Sequence, residues 1–177
     1  MRTGVVSRQA GQPSEVSTPR ELPLAVDDRG NALISVEYGP EGSPPSDAPL
    51  RAALVALWDA DRVLLVFDRY RQSWELPGGT VEPGETHREG AVRELFEESG
   101  QVPDGQLRFV GYPRYALAPD GRPMYAALFA GRASAVREFR ATEEIGAIHW
   151  WDFREPLPGG VKSVDVHVAR LTRDATP

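Results

Sequence analysis

The chain of 177 residues contains no cysteine. This excludes a disulfide framework, a thiolate metal site and a cysteine nucleophile. The sequence also has no apolar run as long as the core of a signal peptide or a membrane span, so a soluble cytoplasmic protein is expected. Lysine is nearly absent: of the 20 basic residues, 19 are arginines and only Lys162 is a lysine.

The net charge of -6 argues against a broad electrostatic footprint for DNA or RNA. Small polyphosphates remain open, because a metal ion can bridge their charge to an acidic protein. A hydrophobic content of 41% at this length is sufficient for one domain with a substantial core. We therefore expect a small-molecule partner, with no long nucleic acid and no membrane.

Three segments are distinguished by composition. Residues 1–20 are rich in Ser, Pro, Gly and Gln and are predicted to be a disordered arm. Residues 21–50 are predicted to form a β-hairpin that turns at 27–31, followed by a linker. Residues 51–177 are predicted to be the main domain, with strands at 52–58, 62–67, 106–117, 124–130 and 147–153. The segment 164–171 fits both a helical and an alternating pattern, and we expect a helix.

A helix is predicted from about His87 to Ser99. Thr86 followed by Glu89 forms a capping box, and Gly100 supplies the stop. One face of this helix carries three glutamates: Glu94, Glu97 and Glu98. An adjoining apolar arc is expected to pack against a sheet: Ala91, Val92, Leu95 and Phe96.

The acidic face requires compensation. Like charges three or four residues apart cost an isolated helix roughly 0.2 to 0.5 kcal/mol per pair, and anions near a helix C-terminus are disfavoured by the macrodipole. Three carboxylates match the oxygen shell that Mg²⁺ or Mn²⁺ prefers. The alternative is a solvated acidic face, but the turn-rich loop Leu76-Pro-Gly-Gly79 just before this region favours a ligand site.

The segment 79–101 resembles the Nudix box. Its charged and glycine positions match that pattern: Gly79, Glu85, Arg93, Glu94, Glu97, Glu98 and Gly100. Gln101 departs from it, because the pattern has an aliphatic residue there, and we expect the following strand to enter in a shifted register. The resemblance extends loosely over 52–153. It implies an α/β fold, namely a Nudix-type α/β/α sandwich with a mixed β-sheet and a loop-helix-loop catalytic motif.

The resemblance also implies roles for individual residues. The carbonyl of Gly79 and the carboxylates of Glu94, Glu97 and Glu98 are expected to bind Mg²⁺ or Mn²⁺, with Glu94 alternatively the general base. Arg93 is expected to hold the carboxylates in register and Glu85 to support the site. Glu144, beside Glu143, is expected to be an additional metal-binding or basic carboxylate. Trp74 and Tyr115 are expected to stack on a base. Arg69 is expected to contact phosphate, with Arg71, Arg114 and Arg122 as alternatives.

The implied activity is metal-dependent hydrolysis of a pyrophosphate bond in a nucleoside diphosphate linked to another moiety. A nucleoside triphosphate, a sugar nucleotide and ADP-ribose are all admissible substrates. The alternative is a non-catalytic nucleotide-sensing module on the same fold, although such modules usually lose box carboxylates that are all present here. An isoprenoid diphosphate isomerase is disfavoured by the lack of cysteine. A homodimer that pairs through the N-terminal hairpin is also expected from the resemblance.

Overall fold

The computed structural model describes residues 22–173, so the predicted arm at 1–20 lies outside the described residues. Eleven elements follow one another: β1 (Ala25–Val26), β2 (Ala32–Glu37), β3 (Leu50–Asp59), β4 (Arg62–Asp68), β5 (Ser73–Glu75), β6 (Gly78–Thr80), α1 (His87–Ser99), β7 (Arg108–Leu117), β8 (Arg122–Arg132), β9 (Ile145–Trp151) and α2 (Ser163–Arg173). The predicted long strands are confirmed. The short strands β5 and β6 were not predicted.

The nine strands form one mixed sheet in the order β1-β2-β7-β8-β3-β4-β5, with β6 paired to β3 and β9 paired to β4. Strands β3 and β8 run parallel, and the other paired strands run antiparallel. The central position of β3 places β6 and its glycines beside the middle of the sheet.

Strand β3 separates two cores because its side chains alternate between the faces of the sheet. Val55 and Leu57 pack with Ala91 and Leu95 of α1, whereas Trp58 packs with the α2 side. The α2 core contributes Val164, Val168 and Ala169. One helix therefore covers each face, which confirms the expected α/β/α sandwich.

Helix α1 has the predicted bounds. The Thr86 hydroxyl accepts a hydrogen bond from the Glu89 N–H, and the Glu89 carboxylate accepts one from the Thr86 N–H at 2.8 Å. Gly100 ends the helix in the left-handed conformation with φ 68°.

The expectation for the apolar arc of α1 was half wrong. Ala91 and Leu95 are fully buried, but the exposed fractions of Val92 and Phe96 are 44% and 54%. At 100° per residue, each exposed residue lies one step around the helix from its buried neighbour, beyond the reach of the sheet.

The loop after α1 also differs from expectation. No strand follows Gln101 directly, because residues 101–107 form a loop and β7 begins at Arg108. Gln101 is itself fully buried. The change from an aliphatic residue therefore affects a loop contact rather than the register of a strand.

The N-terminal hairpin forms, and the segment 164–171 is helical as expected. Asp27 organises the hairpin turn by accepting hydrogen bonds from the N–H groups of Arg29 and Asn31 at 3.0 and 2.8 Å. Strand β2 pairs with β7, so the hairpin extends the main sheet. Among residues 22–173, no helix is long and apolar enough to cross a membrane.

Candidate active site

A cavity of about 500 Å³ opens where β6, the acidic face of α1 and the end of the β8–β9 loop meet. Its lining includes five glutamates: Glu94, Glu97, Glu98, Glu143 and Glu144. The other lining residues are Arg71, Gly78, Gly79, Thr80, Thr142 and Ile145. Five carboxylates thus face one arginine, and we refer to this space as the acidic cavity.

Two glycines allow β6 to pass between β3 and α1. Gly78 has φ 154°, and a Cβ there would lie 2.3 Å from the carbonyl oxygen of Ala53. A Cβ on Gly79 would instead lie 2.5 Å from Oε1 of Glu94. The first glycine is required by the neighbouring backbone, and the second leaves room for a carboxylate.

Glu98 is the most deeply placed of the carboxylates. Its Oε2 accepts a hydrogen bond from the Gly78 N–H at 2.9 Å. Burial, reinforced by the charges of Glu94 and Glu144, raises the pKa of Glu98 to about 8 despite that hydrogen bond. Burial also raises the pKa of Glu94, against the lowering effect of Arg93. The cavity is therefore short of positive charge.

Arg93 ties the acidic face to the preceding loop. Its Nε and Nη2 donate to the two carboxylate oxygens of Glu85 at 2.9 and 3.0 Å, which is a bidentate pair. Its Nη1 donates to Glu94 at 3.0 Å and to Glu97 at 3.1 Å. The hydrogen bond from Arg93 is the main cause of a lowered pKa at Glu85. One guanidinium thus orients three carboxylates.

The structure brings most of the predicted site residues together. Gly79, Glu94, Glu97, Glu98 and Glu144 all line the acidic cavity. Arg93 and Glu85 do not line the cavity, but Arg93 hydrogen-bonds to Glu85 and to the lining residue Glu94.

The residues proposed for substrate are more scattered. Trp74 and Arg69 do not line the acidic cavity. The indole N–H of Trp74 donates to the carbonyl of Pro158, and the Arg69 side chain lies against Gly146. Arg71, an alternative in the sequence prediction, lines the acidic cavity instead. The turn before it is held by a hydrogen bond from the Arg71 N–H to the Asp68 carboxylate at 2.8 Å.

A second cavity of about 260 Å³ lies on the α2 face of the sheet. It shares Arg71, Gly78, Gly79 and Thr80 with the acidic cavity. Its apolar lining consists of Ala52, Leu54, Leu76, Leu117, Met124, Ala126 and Val164, together with the predicted Tyr115. We refer to it as the ring cavity because its volume suits one heterocycle.

Charged residues that the sequence analysis did not single out flank the ring cavity. Glu75 accepts from Arg71 Nη1 at 2.9 Å and pairs with the ammonium of Lys162. Asp165 accepts from the Leu76 N–H at 3.0 Å, and burial raises its pKa to about 6 although Lys162 lowers it. These residues are far apart in sequence, so no spacing signal connects them.

Tyr115 is almost fully buried, with 6% of its surface exposed. Its hydroxyl has no hydrogen-bond partner among the described residues, and burial raises its pKa. A buried hydroxyl without a partner is uncommon and costly. Tyr115 thus lines the ring cavity, while its hydroxyl makes no hydrogen bond to the described residues of the core.

The carboxylate oxygens of the acidic cavity form a hard donor set suited to Mg²⁺ or Mn²⁺. Within residues 22–173, however, no three acidic, histidine or cysteine side chains already stand in an arrangement that could hold a metal ion. Glu97 explains this in part, because its carboxylate turns toward Arg93 and its side chain is 58% exposed. The donors therefore fit such an ion in kind, although their carboxylates do not converge on one point.

The family model described as the NUDIX domain matches residues 48–171. This span covers more than half of the chain and contains α1, the acidic cavity and most of the lining of the ring cavity. The chain belongs to the NUDIX domain family. The resemblance of the segment 79–101 to the Nudix box is thereby confirmed.

Similar proteins were found by sequence and by structure. The NUDIX chain is 38% identical over 81 residues to the 8-oxo-dGDP phosphatase NUDT18 of Homo sapiens, a match that covers 41% of this chain and 25% of that protein. It is 33% identical over 79 residues to the RNA pyrophosphohydrolase of Histophilus somni (strain 2336), covering 40% of this chain and 41% of that protein. The matched region thus spans less than half the length of either relative.

The fold is shared with a solved NUDIX neighbour. The structure of the Bacillus subtilis pyrophosphohydrolase BsRppH superimposes with a TM-score of 0.63 over 85% of this chain and 95% of that chain, at 17% identity. At this identity the likeness concerns the fold alone.

Proposed function

We propose that this NUDIX chain is a metal-dependent hydrolase that cleaves the pyrophosphate bond of a nucleoside diphosphate linked to another moiety. The observation that carries the proposal is the acidic cavity, in which glutamates from α1 and from the β8–β9 loop converge beside the glycines of β6. The names of two relatives, an 8-oxo-dGDP phosphatase and an RNA pyrophosphohydrolase, support attack on a phosphoric anhydride.

The metal we propose is Mg²⁺ or Mn²⁺, held by Glu94, Glu97, Glu98 and the carbonyl of Gly79. When bound, such an ion neutralises phosphate charge and lowers the pKa of a coordinated water. The raised pKa of Glu98 supports this assignment, because a cation would relieve the cost of a buried carboxylate beside Glu94 and Glu144.

The protein residues supply orientation and a proton acceptor. Arg93 keeps Glu94 and Glu97 in place through its hydrogen bonds to both. Glu94 or Glu144 accepts a proton from the attacking water, and the two remain alternatives for the general base. Glu85 acts indirectly, since its bidentate pair with Arg93 fixes the guanidinium.

The shared wall of the two cavities suggests how the substrate lies. A heterocycle in the ring cavity would rest on Tyr115 and Met124, and its phosphates would pass Arg71 and Gly79 into the acidic cavity. Arg71 is suited to phosphate because a guanidinium offers several donors, of which Nη1 is already paired with Glu75. A nucleoside triphosphate, a sugar nucleotide and ADP-ribose all satisfy this arrangement.

The test is release of monophosphate or phosphate from a panel of nucleoside triphosphates, oxidised nucleotides, sugar nucleotides, ADP-ribose and 5′-triphosphate RNA, with Mg²⁺ or Mn²⁺. Glu98→Gln is expected to lower kcat by about 100-fold or more, as for a group essential to water activation. Glu155→Gln, which removes an exposed carboxylate outside both cavities, serves as the matched control.

Activity that persists in EDTA would refute metal dependence, and activity unchanged in Glu98→Gln would refute the site. Binding of a nucleotide without any turnover would favour the alternative, a nucleotide-sensing module. Direct titration of Mn²⁺ into the wild type and Glu98→Gln gives a readout independent of the substrate. The homodimer and the cytoplasmic location stay predictions.

A further inference from the structure

The loop 133–144 connects β8 to β9 and carries Glu143 and Glu144 to the acidic cavity. Its first residues are held by hydrogen bonds from the Ala133 N–H to Trp58 and from the Ser134 N–H to Asp104. Its last residues are held near β9, where the Ile145 N–H donates to the Thr142 hydroxyl at 2.9 Å and the Glu144 carbonyl accepts from the Arg69 N–H at 2.9 Å. The middle of the loop has an attachment of its own.

Gln101 provides that attachment. Its Oε1 accepts from the Arg137 N–H at 2.8 Å, and its Nε2 donates to the Arg137 carbonyl at 2.9 Å. The same Nε2 also donates to the carbonyl of Ser99 at 3.1 Å. Because the side chain is fully buried, both ends of the amide need partners, and Arg137 satisfies both.

The position of Gln101 connects the two walls of the acidic cavity. Gln101 comes just after Gly100, the residue that ends α1, and three residues after Glu98. The loop crosses this end of the helix, where a Cβ on Gly100 would lie 3.7 Å from the carbonyl of Glu138. An aliphatic residue, as in the Nudix pattern, would fill the space but offer neither hydrogen bond to the loop. Both hydrogen bonds to the loop therefore depend on the amide that this chain has at position 101.

We propose that Gln101 is a positioning residue: it fixes the loop 133–144 to the end of α1 and so keeps Glu144 facing Glu94 and Glu98. The catalytic part of this role rests on the proposed hydrolysis, whereas the mechanical part does not. Gln101 itself contacts neither cavity. Its effect reaches the site through the loop.

The mechanical part is tested by hydrogen exchange of Gln101→Met, which keeps the length of the side chain but removes the amide. Exchange is expected to accelerate at least about tenfold at the Arg137 N–H and also at the Thr142 N–H, which donates to Ile145 at the far end of the loop. Ser99→Ala is the control, because it disturbs the same helix end and leaves both bonds to Arg137. Unchanged exchange at Thr142 in Gln101→Met would overturn the proposal.

The catalytic part is tested by kinetics on the preferred substrate. Gln101→Met is expected to lower kcat about tenfold with KM within about threefold, as for a misplaced catalytic group. In the Glu143→Gln/Glu144→Gln background the same change should cost nothing further. An equal loss in both backgrounds would overturn the role through the loop carboxylates.

A second variant covers the case in which Gln101→Met does not fold. Arg137→Pro removes the N–H that donates to Gln101 Oε1. Arg137 is exposed and lies outside the core. It should reproduce the faster exchange at Thr142 and the lower kcat, and wild-type values for both would overturn the proposal. If no substrate is hydrolysed by the wild type, the proposed function fails and exchange alone decides the role of Gln101.

Discussion

Adjacent glycines in β6 should respond in opposite ways to the same substitution. At Gly78 a Cβ would lie 2.3 Å from the carbonyl oxygen of Ala53 and 2.9 Å from Cα of Leu54. Both are backbone atoms of β3, so the strands must separate. At Gly79 the nearest atom is Oε1 of Glu94 at 2.5 Å, the end of a flexible side chain. We therefore predict that Gly78→Ala damages the fold and that Gly79→Ala damages only the site.

The expected magnitudes follow from these contacts. Gly78 has φ 154°, a conformation that costs an alanine about 1 to 3 kcal/mol, and overpacking adds a similar amount. A combined loss of about 4 kcal/mol lowers Tm by about 8 to 16 °C in a protein of this size. Gly79→Ala should change Tm by less than about 2 °C, since Glu94 can move. Displacing that carboxylate by about 1 Å should lower kcat about 100-fold.

The assay pairs thermal unfolding with hydrolysis of the preferred substrate. Gly105→Ala is the neutral control, because its Cβ would meet no atom within 4 Å. A fall in Tm for Gly79→Ala as large as that for Gly78→Ala would show that Glu94 does not yield. Full activity in Gly79→Ala would show that the position of Glu94 is immaterial.

Three further predictions concern charge. Arg93→Lys should keep the charge but lose the bidentate pair with Glu85. In the same hydrolysis assay we expect kcat to fall about tenfold or more. A wild-type rate would contradict the role of Arg93 in orienting the carboxylates. The pKa of Asp165 is raised from 3.8 to about 6, so the contribution of Asp165 to stability falls as pH rises through this window. Relative to the wild type, Asp165→Asn should gain up to about 3 kcal/mol of stability above pH 7. Urea unfolding at pH 4 and 7.5 measures this, and an equal difference between the two proteins at both pH values would contradict it. Mn²⁺ at about 100 times its Kd should add about 2.7 kcal/mol of stability to the wild type, and an equal rise of Tm in Glu98→Gln would count against that ligand.

Local signals allowed the sequence to predict helix α1 with its bounds. The capping box of Thr86 and Glu89 and the stop at Gly100 act within one turn, so they do not depend on the rest of the fold. The buried face was predicted less well. Val92 and Phe96 are as apolar as their buried neighbours, and only the position of the sheet decides that they face outward.

The candidate site also has one part that local sequence signals predict and one part that they do not. Its α1 carboxylates and Arg93 are fixed by helical spacing, which sequence reveals. The ring cavity instead joins Arg71 and Glu75, near β5, to Lys162 and Asp165, near the start of α2. That proximity arises because the β5 strand forms a bridge between Trp74 and Val161. A pairing at such a distance along the chain leaves no periodic signal in one sequence.

The arrangement of charge at the site supports the proposed roles of Arg93 and of a metal ion. Helix α1 has no basic residue in its last turn, so the macrodipole opposes the carboxylates there without local compensation. Arg93 donates hydrogen bonds to Glu85, Glu94 and Glu97. Within residues 22–173, the deeper Glu98 accepts a hydrogen bond only from the Gly78 N–H. Arg93 therefore orients Glu94 and Glu97, but the charge of the buried Glu98 is left unbalanced. A cation bound beside Glu98 would relieve this unbalanced charge, so the proposed metal would stabilise the fold as well as serve the proposed chemistry.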